Sequence, residues 1–133
     1  YARVRVLFQN GRVVARNGDV TAATTLRDIG RVSHEFGLPV RVLYFSNAEQ
    51  FFPYTPDFTL NMLGMNTDER TVVLRTFRHR AATYPTGDRW HYVVEPFGGF
   101  RVRLADGLRH SRSLVTEIVN SRGATPGLTV LSR

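Results

Sequence analysis

Val40-Arg41-Val42-Leu43-Tyr44-Phe45-Ser46-Asn47-Ala48-Glu49 decides the fold, because an apolar, strand-like run passes directly into small hydrogen-bonding side chains. In open α/β sheets, ligands sit beyond the carboxyl ends of the strands, where such groups collect. Two other runs have the same form: Arg12-Val13-Val14-Ala15 leads to Asn17-Gly18-Asp19, and Thr71-Val72-Val73-Leu74 leads to Arg75-Thr76. If these strands are parallel neighbours, Asp19, Ser46, Asn47, Glu49, Arg75 and Thr76 line one edge of one sheet. They form the candidate ligand-binding set. The nearly continuous apolar character of residues 40–45 predicts a strand buried on both faces.

Toward the amino terminus, Val4, Val6 and Phe8 alternate with Arg3, Arg5 and Leu7, the period of a strand at about 3–8. Asn10-Gly11 then signals a hairpin into a second strand at about 12–16, since both central positions of a type I′ turn need positive φ. A helix follows from Thr24 or Thr25, with Leu26, Ile29, Val32, Ser33 and Phe36 at helical spacing and Gly37 as its stop. It is expected to cover one face of the sheet. Strand, helix and strand make a right-handed crossover and a parallel pair.

Toward the carboxy terminus, Thr55 or Asp57 caps a short helix through Phe58, Leu60, Met62 and Leu63, with Pro56 at an early helical position. Residues 66–70 read as a turn, 71–77 as a strand, 81–88 as a polar loop and 90–94 as another strand. Gly98-Gly99 separates that strand from Phe100-Arg101-Val102-Arg103-Leu104. A last helix runs from Ser111 or Ser113 to Asn120 and closes at Gly123, and Leu128–Leu131 reads as an edge strand or a frayed end.

Composition narrows the classes. With 133 residues and 42% hydrophobic content, the chain can bury one core, so residues 1–133 are expected to form a single α/β domain. Without cysteine there is neither a disulfide framework nor a thiolate zinc site. No membrane span or signal peptide is expected, which points to the cytoplasm. The chain opens without Met, as a processed product or a part of something longer would. All 18 basic residues are arginine, against 11 acidic ones. GC-rich coding accounts for that bias, and so does a nucleic-acid or polyanion partner. The densest basic group, Arg75, Arg78, Arg80 and Arg89 with His79 and His91, only partly meets the aromatic-interleaved pattern of a nucleic-acid face, through Phe77, Tyr84, Trp90 and Tyr92.

Several other chemistries lack their motifs. There is no His-x-x-x-His metal spacing, no Gly-x-Ser-x-Gly elbow and no Walker A loop, so no metal is expected and hydrolase or nucleotidase activity loses its usual support. Among the candidates, Asn17, Gly18 and Asp19 also suit a plain turn, Glu49 a helix start, and Arg75 an anchor for Asp19 or Glu49. His79, His91 and His34 read as surface residues, and Phe51-Phe52 as core or hinge.

Gly18-Asp19-Val20-Thr21, Thr24-Thr25-Leu26, Leu43-Tyr44-Phe45-Ser46-Asn47-Ala48-Glu49 and the stretch from Asp68 to Thr76 resemble the carboxy-terminal half of uncharacterised bacterial proteins with a class I methyltransferase-like fold. The resemblance covers about residues 11–97. It implies a Rossmann-like, partly parallel sheet with helices on its faces, whose first strands and glycine turn belong to an amino-terminal half. S-adenosylmethionine would bind only together with that half. The functional expectation is a methyltransferase-like domain of unknown activity that binds a small ligand or partner at the strand ends. An arginine-rich nucleic-acid module with weak binding and a subunit that completes its sheet with another chain are the alternatives.

Overall fold

The computed structural model describes every residue except 81, 83, 122–124 and 133. A central sheet of four strands is built from β1 (Val40–Ser46), β2 (Thr67–Phe77), β3 (His91–Pro96) and β4 (Leu128–Val130), in the spatial order β1-β2-β3-β4. The β1/β2 and β3/β4 pairs are parallel and the β2/β3 pair is antiparallel. Among the described residues, five α-helices accompany the sheet: α1 (Ala2–Gln9), α2 (Thr25–Glu35), α3 (Pro56–Leu63), α4 (Phe97–Ala105) and α5 (Val115–Asn120). The result is a Rossmann-like mixed α/β fold with a partly parallel sheet.

Local signals fix the β1-α3-β2 crossover. Thr55 is extended at the N-cap of α3 and its Oγ1 accepts from the Phe58 amide at 3.1 Å, with Pro56 in the first turn. Phe58 and Met62, one turn apart, are fully buried against Val73 of β2 and Phe100 of α4. Ahead of this unit, α2 begins after Thr24 and ends at Phe36, where Gly37 takes a φ of 62°.

The register shows which face carries the core. Val73 lies opposite Glu95, Arg75 opposite Val93, and Phe77 opposite His91. Directly opposed residues share a face. Both apolar clusters lie on this one: Leu26, Phe58, Met62, Val73, Phe97 and Phe100 in the first, and Phe77, Val93, Leu114, Ile118 and Leu131 in the second. Every buried apolar side chain of α2, α3, α4 and α5 belongs to one of these clusters. The opposite face is a registered apolar surface, in which Tyr44, Leu74, Val94 and Val130 form one row across all four strands. No residue of that row belongs to either cluster. Val42, Tyr44 and Val130 are 54%, 57% and 60% exposed, so β1 is not buried on both faces as its composition predicts.

Other expectations are also corrected. Residues 3–8 are helical, and no strand forms at 12–16. Asn10 closes α1 rather than turning a hairpin, with Gly11 at a φ of 63°. An alternating pattern becomes a strand only where a neighbouring strand meets it. None does here, and α1 buries no residue at all. Gly98 and Gly99 are no separator; they lie within α4, whose Phe97, Phe100 and Leu104 recur at helical spacing on the core. β2 begins at Thr67, so residues 67–70 of the expected turn at 66–70 are already strand. A single 3-10 turn (Ser111–Leu114) precedes α5, and Gly123, expected to close it, lies outside the described residues. On α2 only Leu26 and Gly30 are buried, and Ile29, Val32 and Phe36 stay exposed instead of covering the sheet.

Candidate functional site

The carboxyl ends of β1 and β2 converge on Arg75. Its guanidinium is buried to 1% exposure and donates from Nε to Glu49 Oε2 and from Nη1 to Glu95 Oε2, each at 2.6 Å. Its Cζ lies 5.0 Å from the ring centroid of Phe100, over which the cation stacks. Glu95 shares its other oxygen with Arg103 Nη1 at 2.8 Å, and Arg103 also pairs with Glu117 of α5. Glu49 accepts from the Tyr54 hydroxyl at 2.8 Å, and its own carbonyl accepts from Ser111 Oγ at 2.8 Å. A chain of charges thus runs from the turn after β1 through β2 and β3 to α4 and α5.

Burial and pairing pull these groups in opposite directions. For Arg75, burial disfavours the charged form, but the two carboxylates outweigh it and raise its pKa above the ordinary guanidinium value. For Glu95, burial is the larger influence and raises the carboxyl pKa, against the lowering effect of Arg75 and Arg103. Burial and the Glu49 carboxylate together drive the Tyr54 phenol well above its usual range, so it acts as a hydrogen-bond donor. One atom of the cluster, Arg75 Nη2, is buried without a hydrogen-bond partner.

The other candidates take separate positions. Ser46 ends β1 at a φ of 53°, the left-handed region, and its Oγ lies 3.5 Å from Thr76 Oγ1. Asn47 precedes the 3-10 turn Ala48–Gln50 without a side-chain cap, and Gln50 Nε2 donates to the Thr76 carbonyl at 3.1 Å. Ser46, Asn47, Glu49, Arg75 and Thr76 therefore gather at one end of the β1/β2 pair. Asp19 has no part in this network. Exposed ahead of α2, its carboxylate accepts from the amide and hydroxyl of Thr21 at 2.8 and 2.7 Å, which hold its pKa below the ordinary value. Between Arg75's two expected partners, the ion pair is with Glu49.

Sequence reasoning missed Glu95, Arg103, Tyr54 and Phe100. Glu95 carried a signal, since an acid closing the apolar run Tyr92-Val93-Val94 on a strand demands a buried cation. His91 is another correction: it is buried on β3 at 2.8 Å from Thr129 Oγ1 rather than on the surface. Among the described residues no three His, Cys, Asp or Glu side chains are grouped to hold a metal ion, and no helix is long and apolar enough to cross a membrane.

A groove lies apart from the ion-pair cluster. The segment carrying Val14, Asn17, Gly18 and Val20 and the exposed stripe of α2, with Ile29 and Phe36, enclose a groove of about 1180 Å³. It borders β1 at Val40.

A family model described as a domain of unknown function, DUF7790, matches residues 1–132. The chain belongs to the DUF7790 family. The family match embraces the ion-pair cluster, the groove and the whole sheet, and its description assigns neither a reaction nor a ligand. No curated protein matches the chain.

Proposed function

We propose that this DUF7790 domain is a methyltransferase-like half-domain that works by binding. Its partner is an amino-terminal half or companion chain that completes the sheet along the outer edge of β1. The observation that carries this reading is that β1, at the end of the sheet, pairs only with β2 among the described residues, while its Val42 and Tyr44 stay exposed. An open parallel edge with apolar flanks is a template for another strand. Glu49 and Arg75 act within the domain, neutralising each other and fixing the turn after β1. Ser46, Asn47 and Thr76 are the groups left at this strand end to meet a small ligand once the partner strand is in place. S-adenosylmethionine is a ligand of the assembled pair, not of this chain alone.

The test is co-expression with the polypeptide encoded directly upstream of Tyr1, in the same reading frame or as a neighbouring chain. The expected complex protects the outward β1 amides from hydrogen exchange and binds S-adenosylmethionine in calorimetry. Micromolar binding of S-adenosylmethionine by the isolated chain, or β1 amides that exchange equally fast in both states, refutes the reading.

A second reading rests on Arg78, Arg80 and Arg89, exposed around the β2–β3 connection beside Trp90 and Tyr92. They suit weak contact with a polyanion. Titration with single-stranded and duplex DNA at two salt concentrations should show weak, uniformly salt-sensitive binding, because scattered arginines neutralise phosphates without reading bases. Tight, sequence-selective binding that survives high salt would put this reading first.

A further inference from the structure

α1 carries an apolar stripe with nothing beneath it. Tyr1, Val4, Leu7 and Phe8 recur at helical spacing and are all exposed, with Arg3 and Arg5 flanking them. A helix of eight residues is marginal in water, so one that persists draws its stability from packing. Its own domain supplies none, because α1 buries no residue.

The groove beside α2 has the complementary form. Val14, Val20, Ile29, Val32, Phe36 and Leu38 line it, and all but Val20 are exposed. On α2, Ile29, Val32 and Phe36 repeat the spacing of the α1 stripe, and each stripe runs about 10 Å along its helix. An eight-residue helix, about 12 Å long and 10 Å across, occupies roughly 900 Å³. The groove encloses about 1180 Å³. Charge agrees with shape. Residues 1–12 hold Arg3, Arg5 and Arg12 and no acid, while Asp28, which lines the groove opposite Arg16, and Glu35 lie beside the α2 stripe. Their present partners, Arg27 and Arg31, are exposed neighbours on the same helix, and such surface pairs exchange at little cost.

The end of α1 settles which copy of the helix can enter. Gly11, at a φ of 63°, donates its amide to the Phe8 carbonyl at 3.1 Å, and the Arg12 amide donates to the Leu7 carbonyl at 2.9 Å, the paired bonds of a Schellman cap. Only Val13 stands between this closed loop and Val14, where the groove wall begins. One residue is too few to fold α1 back into its own groove. Two copies can exchange their helices, and reciprocal contacts of this kind close about a two-fold axis. Aromatic side chains bury roughly 150–250 Å² each. One stripe with two aromatics therefore covers several hundred Å² on each side, and the two contacts together approach the roughly 1,600 Å² of a stable interface.

We infer that the chain forms a two-fold dimer in which α1 of each copy seats in the groove between α2 and residues 14–20 of the other. The inference is independent of sheet completion at β1. The 133-residue chain should dimerise with rising concentration in sedimentation equilibrium. Phe8→Asp on the helix and Ile29→Asp in the groove change exposed side chains, so neither threatens the fold. Each should raise the dimer Kd roughly tenfold or more. An equimolar mixture of the two variants should associate more tightly than either alone, because it keeps one intact contact: the unaltered α1 of the Ile29→Asp copy in the unaltered groove of the Phe8→Asp copy. Deletion of residues 1–9 should abolish dimerisation while leaving the dilute monomer as stable as before. A chain that stays monomeric up to about 1 mM, the weak end of specific association, overturns the inference. So does a dimer indifferent to both substitutions, or a mixture no tighter than its components, since either places the association on another surface.

Discussion

Arg75 on β2 and Glu49 in the turn after β1 meet at 2.6 Å with both side chains at most 2% exposed, so a strand end and the chain reversal beside it are locked by one buried ion pair. Removing the Arg75 charge strands the Glu49 carboxylate in a low-dielectric interior. Glu95 takes a second edge of the same guanidinium, which makes Arg75 the common partner of two carboxylates.

Arg75→Met therefore leaves two buried acids without their shared cation and should lower stability by about 3–5 kcal/mol. Glu49→Gln costs less, because Glu95 still holds the guanidinium. Urea unfolding of the three proteins measures the difference. Equal, sub-kilocalorie losses for both variants would show that the pair does not secure the turn.

The raised pKa of Glu95 sets a pH dependence. Its native carboxyl binds a proton more readily than the unfolded one, whose ordinary value is near 4.5. The stability tied to this group is fully present below that value and is lost as pH rises through the native pKa. Glu95→Gln should remove that decline, so stability against pH, followed by denaturant midpoints from acid to neutral pH, becomes flatter in the variant. An unchanged slope assigns the decline to other groups.

Ser46 sits at a positive φ where the chain leaves β1. A β-branched side chain resists that conformation, so Ser46→Val should cost roughly 1–2 kcal/mol. Ser46→Gly stays within about 1 kcal/mol of the original, since glycine adopts this φ freely but orders at greater entropic expense. Equal effects of Val and Gly would mean that the backbone there relaxes.

α1 has eight residues and buries none of them. A helix this short gains little without packing. Deleting residues 1–9 should shift the unfolding free energy by less than about 0.5 kcal/mol, as for surface changes in general. A larger loss would mean that α1 packs on the domain in solution.

Legibility from sequence followed long-range pairing. The β1-α3-β2 unit could be read because capping, proline placement and apolar runs agree locally with the final fold: Thr55, Pro56 and Phe58 each take the position their chemistry favours. Residues 3–8 could not, because Val4, Val6 and Phe8 alternate like a strand yet meet no neighbour. The same limit applied to the site. That Glu49 follows one strand and Arg75 lies near the end of another was visible in their spacing, whereas the roles of Arg103 on α4 and Glu117 on α5 depend on how those helices cross the sheet. Asp19 followed an apolar run like the other candidates, but that run never joined the sheet, so its carboxylate closes a local turn with Thr21.

The one-sided distribution of the helices changes what a melting temperature means for this domain. Anything that binds the folded form and not the unfolded one adds stability by mass action, in proportion to the logarithm of its free concentration. With Tyr44 and Val130 open to solvent, a molecule seated on that face would add such an increment. The thermal midpoint of the isolated chain is therefore a floor set by the buried face alone, and a value measured with the outer face occupied reports concentration as much as sequence.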